Sequence, residues 1–266
     1  MDKSRFIIPR GLGFNSESEL FNALKLAGAD VRYCLYEELT ENPDILDEEC
    51  DGLGLPGGFT MGDNLGAGQS IKNRTVASGL YKKLKKKLND KRFPIYSVCN
   101  SFQILAKSDL FPMKVGTKQN NSGKHETGYW DLKVNPNNDS FWLEGLKDCE
   151  EPLYAPISHG EGKVYVPIED LLFARENNII ALEYVDGYIC EFFRSSRGHR
   201  FNPNGSTANI AGFAWSGNLF LFPHLERLTY DYQRPDKYKV LKEKGTLSGL
   251  YQPSHRVFKA GVEHMN

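Results

Sequence analysis

The stretch that most limits how this chain can fold is Phe93-Pro94-Ile95-Tyr96-Ser97-Val98, a short β-prone apolar run, followed by Cys99 and then the helical pattern of Asn100-Ser101-Phe102-Gln103-Ile104-Leu105. It describes a strand, a sharp turn and a helix, with a thiol at the turn. Such an elbow exposes Sγ above the sheet edge and aims the helix's unpaired N–H groups at it, which favours thiolate over thiol. Small residues two positions to either side, here Ser97 and Ser101, let strand and helix pass closely. The plain alternative is a cysteine buried for packing alone, since free cysteine is among the most buried residue types. Its neighbours must decide.

Upstream, Arg5-Phe6-Ile7-Ile8-Pro9 reads as a first buried strand, followed by a Gly11–Asn15 turn and a helix carrying Leu20, Leu24 and Ala27 on one face, with Ser16 as its cap. Val31–Leu35 and Gly52–Pro56 read as the next two strands. This β-α-β alternation implies an α/β fold, a doubly wound, mostly parallel sheet with right-handed crossovers, whose functional loops lie at the strands' C-terminal ends. One long helix is expected between Ser70 and Lys91; its Leu80, Leu84 and Leu88 form an apolar stripe, so its lysines belong to a solvated face rather than to a nucleic-acid site. Period-2 patterns at Tyr129–Val134, Ile179–Tyr184, Ile189–Phe193, Ile210–Ala214 and Leu219–Phe222 imply an antiparallel extension of that sheet. A domain spanning 1–228 is expected, with 229–266 set apart as a polar extension.

A cysteine nucleophile needs a base, and the base needs an orienting acceptor. Phe222-Pro223-His224-Leu225-Glu226 offers both, because in extended backbone residues two apart share a side, so the Glu226 carboxylate can reach the His224 imidazole. Backbone donors for a developing oxyanion are expected from Gly58, in the glycine-rich turn Pro56-Gly57-Gly58-Phe59, and from Asn100 at the elbow. A phosphate cradle is disfavoured there, since neither GxxxxGK[ST] nor GxGxxG is present. Glycine at both positions also makes the Gly57-Gly58 peptide sterically cheap to flip.

Charge and cysteine content narrow the function further. Lysine plus arginine (33) nearly cancel aspartate plus glutamate (34), so no global field draws the chain to nucleic acid or to an anionic membrane. The first residues, Met1 to Pro9, hold one short apolar run without a signal-peptide core, and no later stretch approaches membrane-spanning length, which implies a cytoplasmic protein. Cys34, Cys50, Cys99, Cys149 and Cys190 are widely spaced, odd in number and without CxxC spacing, so reduced thiols are expected and a zinc site is not.

Gly57-Gly58-Phe59-Thr60-Met61-Gly62-Asp63, Val98-Cys99-Asn100-Ser101-Phe102-Gln103, His159-Gly160-Glu161-Gly162, Asn202-Pro203-Asn204-Gly205-Ser206 and Phe222-Pro223-His224-Leu225-Glu226-Arg227 occur in the order found in one family. Over roughly Phe6 to Arg227 the chain resembles the glutaminase subunits of phosphoribosylformylglycinamidine synthase, class I (triad) glutamine amidotransferases of purine biosynthesis. The resemblance implies a flavodoxin-like sheet and a triad of Cys99, His224 and Glu226. Cys99 would attack the side-chain amide of glutamine, with Gln103 helping to hold the substrate. Ammonia would pass to an ATP-dependent synthetase subunit accompanied by a small accessory subunit. No metal or organic cofactor is implied for this chain; ATP and magnesium are implied for the partner.

The chain departs from the family pattern at Ser97 and Ser101, where glycine is usual, and at Leu225, where proline is usual. It also has Gly66 and Gly128 in place of arginines, and His125 in place of phenylalanine. Two other readings stay open at this stage: a glutaminase-like partner subunit with impaired turnover, and an amidotransferase or thiol hydrolase serving another acceptor.

Overall fold

A computed structural model describes residues 3–187, 189, 201–247 and 249–264. Its strands, in chain order, are β1 (Arg5–Arg10), β2 (Asp30–Leu35), β3 (Gly52–Leu55), β4 (Ile95–Val98), β5 (Gly116–Lys118), β6 (Glu126–Val134), β7 (Leu153–His159), β8 (Lys163–Tyr165), β9 (Ile180–Tyr184), β10 (Ile210–Trp215) and β11 (Asn218–Leu221). Nine of them form one sheet in the order β2-β1-β3-β4-β11-β10-β9-β6-β7, while β5 and β8 pair separately. From β2 to β11 every pairing is parallel, and from β11 to β7 every pairing is antiparallel. The parallel half has the flavodoxin-like strand order, and the antiparallel extension continues from its last strand.

The parallel strands form because their residues are buried on both faces; β3, β4 and β11 are buried throughout and carry apolar residues on either side of the sheet. Alternation along each strand divides two cores. Ile7, Leu53 and Ile95 pack on one face against helices Gln69–Ala77, Leu80–Leu88 and Asn100–Ala106. On the other face, Phe6, Ile8, Tyr96 and Val98 pack with Leu20 and Leu24 of helix Glu17–Leu26 and with Trp142.

Several expectations need correction. The helix anticipated between Ser70 and Lys91 is two helices, Gln69–Ala77 and Leu80–Leu88; Ser78 is extended (φ −105°, ψ 167°) and its N–H closes on the Arg74 and Thr75 carbonyls. The leucine stripe of the second piece is buried, Lys82, Lys85 and Lys86 are exposed on the solvated face, and Lys83 and Lys87, largely covered, pair with Asp44 and Asp47. Of Leu219–Phe222, assigned to the antiparallel extension, Leu219–Leu221 lie in β11, which pairs antiparallel with β10 as expected but parallel with β4 on its other side. Strand β7 was not anticipated, because Pro156 interrupts its pattern; it lies at the sheet's edge, where a missing N–H is tolerated. Apart from Ile189, the stretch Ile189–Phe193 lies outside the described residues, as does Cys190.

The stretch set apart from residue 229 onward buries Tyr251, Val257, Phe258 and Val262. Phe258, on helix Gln252–Glu263, packs against Tyr96 with ring centroids 5.0 Å apart. Among the described residues, no helix is long and apolar enough to cross a membrane.

Candidate active site

At the end of β4 the chain turns at Cys99 with φ 54° and ψ −108°, a conformation that costs a non-glycine residue energy and persists only where surrounding contacts hold it. Those contacts are present. The Cys99 N–H donates to the Leu221 carbonyl (2.7 Å), tying the turn to β11, and its carbonyl accepts the Gln103 N–H (3.1 Å) as helix Asn100–Ala106 begins. Neither serine that departs from the family pattern breaks the elbow. Ser101 Oγ donates to the Pro56 carbonyl at 2.5 Å, and Ser97 is accommodated in β4, although its buried hydroxyl has no hydrogen-bond partner.

Two loops meet this turn from the neighbouring strands. After β3, Gly57 passes so close that a Cβ there would lie 2.8 Å from His224 Cε1 and 3.2 Å from Cys99 Cβ, which explains the glycine. The Gly57 N–H donates to Ser16 Oγ (2.7 Å), so the Ser16 hydroxyl, expected to cap its helix, instead anchors this loop. The Gly57 carbonyl accepts N–H groups from Asn15 (3.0 Å) and Ser16 (3.3 Å). A trans peptide points its N–H opposite its carbonyl, so the Gly58 N–H faces away from those partners. Turning this peptide would break both hydrogen bonds, so, contrary to expectation, the flip is not cheap here.

After β11, His224 and Glu226 are both buried, with Nδ1 2.5 Å from Glu226 Oε1. Tyr96, one strand away, donates its hydroxyl to Glu226 Oε2 at 3.0 Å. The His224 N–H donates to the Pro156 carbonyl of β7 (2.8 Å), so the edge strand also fixes this turn. Burial pushes the His224 imidazole down, but the Glu226 carboxylate and the Cys99 thiolate outweigh it and raise its pKa to about 9. Burial likewise pushes the Cys99 thiol up, and the opposing charge of His224, with hydrogen bonding from His159 and His224, brings it down to about 6. Burial raises and the His224 charge lowers Glu226, and lowering wins. The contacts of His224 Nε2 and His159 Nδ1 with the sulfur are longer than formed hydrogen bonds, and Cys99 Sγ donates to the Ser158 carbonyl (3.8 Å); contacts of this kind tighten when substrate binds.

Cys99 opens into a cavity of about 240 Å³ whose lining includes Gly58, Gln103, His125, His159 and Glu161. Asn100 stands first in the elbow helix, where its N–H lacks an intrahelical partner. Its side chain ties the loop after β3 to that helix: Oδ1 accepts from Thr60 N (3.2 Å) and Oγ1 (2.6 Å), and Nδ2 donates to Gln103 Oε1 (3.0 Å). Gln103 Nε2 donates in turn to the Glu161 carbonyl (2.8 Å).

The residues proposed from sequence, Cys99, His224, Glu226, Gly58, Asn100 and Gln103, therefore meet around one cavity or its immediate support. Sequence reasoning missed the roles of Tyr96, Ser16 and the second imidazole, His159; each meets a partner remote from it in the chain. Where the family pattern has arginine at position 66, the chain turns at Gly66 (φ 100°); Glu161 nearby pairs with Lys107 (3.2 Å). A side chain at Gly128 would meet the Trp130 ring at 2.7 Å. Among the described residues, no group of three or more His, Cys, Asp or Glu side chains is placed to hold a metal ion.

A mixed sheet of this order with a buried cysteine at the elbow defines a class, and residues 3–265 match the family model of the CobB/CobQ-like glutamine amidotransferase domain. Within that class, the phosphoribosylformylglycinamidine synthase subunit PurQ of Dehalococcoides mccartyi is 34% identical over 259 residues, 92% of this chain and 94% of that protein. The PurQ of Picrophilus torridus is 33% identical over 238 residues, 88% of this chain and 90% of its own length. The fold is that of a chain in the structure of PurLQS from Thermotoga maritima, with a TM-score of 0.70, 22% identity and 100% of both chains covered. This chain belongs to the PurQ family of phosphoribosylformylglycinamidine synthase subunits.

Proposed function

We propose that this chain hydrolyses glutamine to glutamate and ammonia and supplies the ammonia for ATP-dependent formation of phosphoribosylformylglycinamidine in purine biosynthesis. The observation that carries the mechanism is the charge pattern of the site: a thiol lowered to about 6 beside an imidazole raised to about 9, so that at neutral pH the pair is thiolate and imidazolium. Cys99 Sγ attacks the side-chain amide carbon of glutamine, and the oxygen takes the negative charge. The N–H groups of Gly58 and Asn100 receive that oxyanion. The His224 imidazolium gives its proton to the amide nitrogen, the C–N bond breaks, and ammonia leaves a glutamyl thioester. Water then attacks the thioester while neutral His224 takes its proton, the C–S bond breaks, and glutamate departs with the thiolate–imidazolium pair restored. Glu226 holds the His224 tautomer through Nδ1, and Gln103 takes part in holding the glutamine substrate.

The chain itself needs no metal or organic cofactor for these steps; ATP and magnesium belong to the synthetase partner. A PurLQS structure among the relatives supports assembly with a synthetase subunit and a small accessory subunit. The proposed setting is cytoplasmic, with neither a membrane nor a nucleic acid as partner. Replacing Cys99 by alanine tests the assignment: in the assembled complex, synthesis from glutamine should vanish while synthesis from added ammonium salts persists. Loss of both activities in a folded, assembled variant would overturn it.

A further inference from the structure

The proposed reaction uses one of two imidazoles that act on the same thiol. His159, at the end of β7, is 3% exposed, lines the cavity into which Cys99 opens, and has a buried Nδ1 without a hydrogen-bond partner. A buried polar nitrogen left unpaired beside a nucleophile costs free energy unless some state of the site uses it. In the sequence this residue stands out only as part of the His159-Gly160-Glu161-Gly162 motif.

The ring is held from several sides. A Cβ on Gly162 would meet the imidazole at 1.9 Å, so the turn after the histidine packs flat against it. Phe222 meets it edge-on, with centroids 5.2 Å apart. Asn120 Nδ2 donates to the His159 carbonyl (2.7 Å) while its Oδ1 accepts the Gly162 N–H (2.9 Å), clamping the backbone. The far nitrogen, Nε2, lies 2.9 Å from Asn204 Oδ1, and Asn204 Nδ2 lies 3.4 Å from the Tyr184 hydroxyl. All three side chains are buried.

Two arrangements of hydrogens satisfy this row. In one, Nε2–H donates to the amide oxygen and Nδ1 presents a lone pair, which suits a thiol but repels a thiolate. In the other, the amide is turned, exchanging groups of nearly equal shape. The Tyr184 hydroxyl, which burial keeps protonated, then donates to the amide oxygen, the amide NH₂ donates to Nε2, and Nδ1–H is left for the sulfur. Every member of that row is neutral, so no second buried cation is needed.

We propose that His159 is a positioning residue for the nucleophile: a neutral imidazole, set by Asn204 and Tyr184, whose Nδ1–H donates to the Cys99 thiolate. The thiol thus has two imidazoles of different kind. His224, on a carboxylate, moves protons; His159, on an amide, holds the sulfur charge in place and keeps His224 free to face the leaving nitrogen. The titratable groups around His159 are Cys99 on the elbow, His224 beyond it, His125 just before β6, Glu126 on β6, Glu161 in the following turn and Tyr184 on β9. Tyr184 contacts Asn204 rather than the sulfur, and the remaining neighbours are common to every variant used below.

The inference rests on Cys99 being the nucleophile, yet its test reads ionisation of the thiol rather than turnover, so the two can fail separately. Alkylation of Cys99 by iodoacetamide, located by mass spectrometry, is followed against pH in the full chain. His159→Leu should move the midpoint upward and slow alkylation about tenfold below it, as expected for loss of one hydrogen bond to a charged group. His159→Asn, whose amide NH₂ can stand where Nδ1–H stood, should recover most of the loss. Asn204→Leu, which leaves the imidazole but removes its orientation, should shift the midpoint in the same direction by less and serves if His159→Leu does not fold. An unchanged midpoint in folded His159→Leu or Asn204→Leu, or failure of His159→Asn to recover it, would overturn the proposal.

Discussion

Two buried regions of this molecule hold cysteines, and they treat the thiol in opposite ways. Cys34 on β2 and Cys50 just before β3 sit among apolar side chains, and burial pushes both thiols up to about 12, helped at Cys34 by the Glu38 carboxylate. Cys99 is just as enclosed, at 5% exposure, and burial pushes it the same way, yet it comes down to about 6. The difference lies in what faces the sulfur. Apolar packing makes a thiol inert, whereas an imidazole held charged by its own buried carboxylate makes the thiolate the stable form. Reactivity in this chain is thus set by polar neighbours drawn from other strands, not by the cysteine's depth.

The most damaging way to erase that contrast is to remove the charged imidazole. His224→Ala should lift the Cys99 alkylation midpoint toward that of the packing thiols and reduce glutaminase turnover by about 10²–10⁴-fold, the usual worth of general acid–base help. Steady-state kinetics of the assembled complex checks this; near-normal turnover would reassign the base. Glu226→Gln keeps the imidazole but withdraws its negative partner, so His224 loses its raised pKa and becomes neutral at a lower pH. A ten- to hundredfold loss of about that size is expected, and the alkaline limb of the kcat profile, governed by an imidazole near 9, should move to lower pH. Tyr96→Phe removes only the hydroxyl that donates to Glu226 Oε2, so turnover should fall by up to about tenfold and the melting temperature should drop. Equal losses in Tyr96→Phe and Glu226→Gln would mean that the hydroxyl acts on something other than the carboxylate.

The mildest change probes the elbow's scaffold. Ser97 Oγ is buried in β4 without a partner. Ser97→Ala should therefore leave the alkylation midpoint and turnover unchanged and raise the unfolding free energy by about 1 kcal/mol, measurable by denaturant titration. A loss of stability would mean that the hydroxyl has a partner in solution.

Legibility from sequence followed the range of the interactions. The parallel strands were readable because burial on both faces writes a continuous apolar run, and the elbow because a strand pattern changes to a helical one at Cys99. Glu226 was readable as a neighbour of His224 because two residues in extended backbone share a side. The pair of helices between Gln69 and Leu88 was read as one, because the break at Ser78 depends on how each piece packs rather than on a strong stop signal. Strand β7 was hidden by Pro156, and with it the position of His159. Tyr96 and Asn204 were out of reach for a different reason: each acts on a side chain that the sheet brings close from 130 and 45 residues away. The stretch after Leu228 looked polar because Val257, Phe258 and Val262 form a single narrow stripe on an otherwise polar helix, a pattern weaker than a strand's.

Whether Cys99 is held as a thiolate by its neighbours is decided most directly by alkylating the intact chain with iodoacetamide across a pH range and locating each modified cysteine by mass spectrometry. A midpoint near 6 is expected at Cys99, with Cys34 and Cys50 unmodified until far more alkaline pH. A Cys99 midpoint at the ordinary free-thiol value of about 8.5, or Cys34 and Cys50 reacting alongside Cys99, would mean that the neighbours do not hold the thiolate.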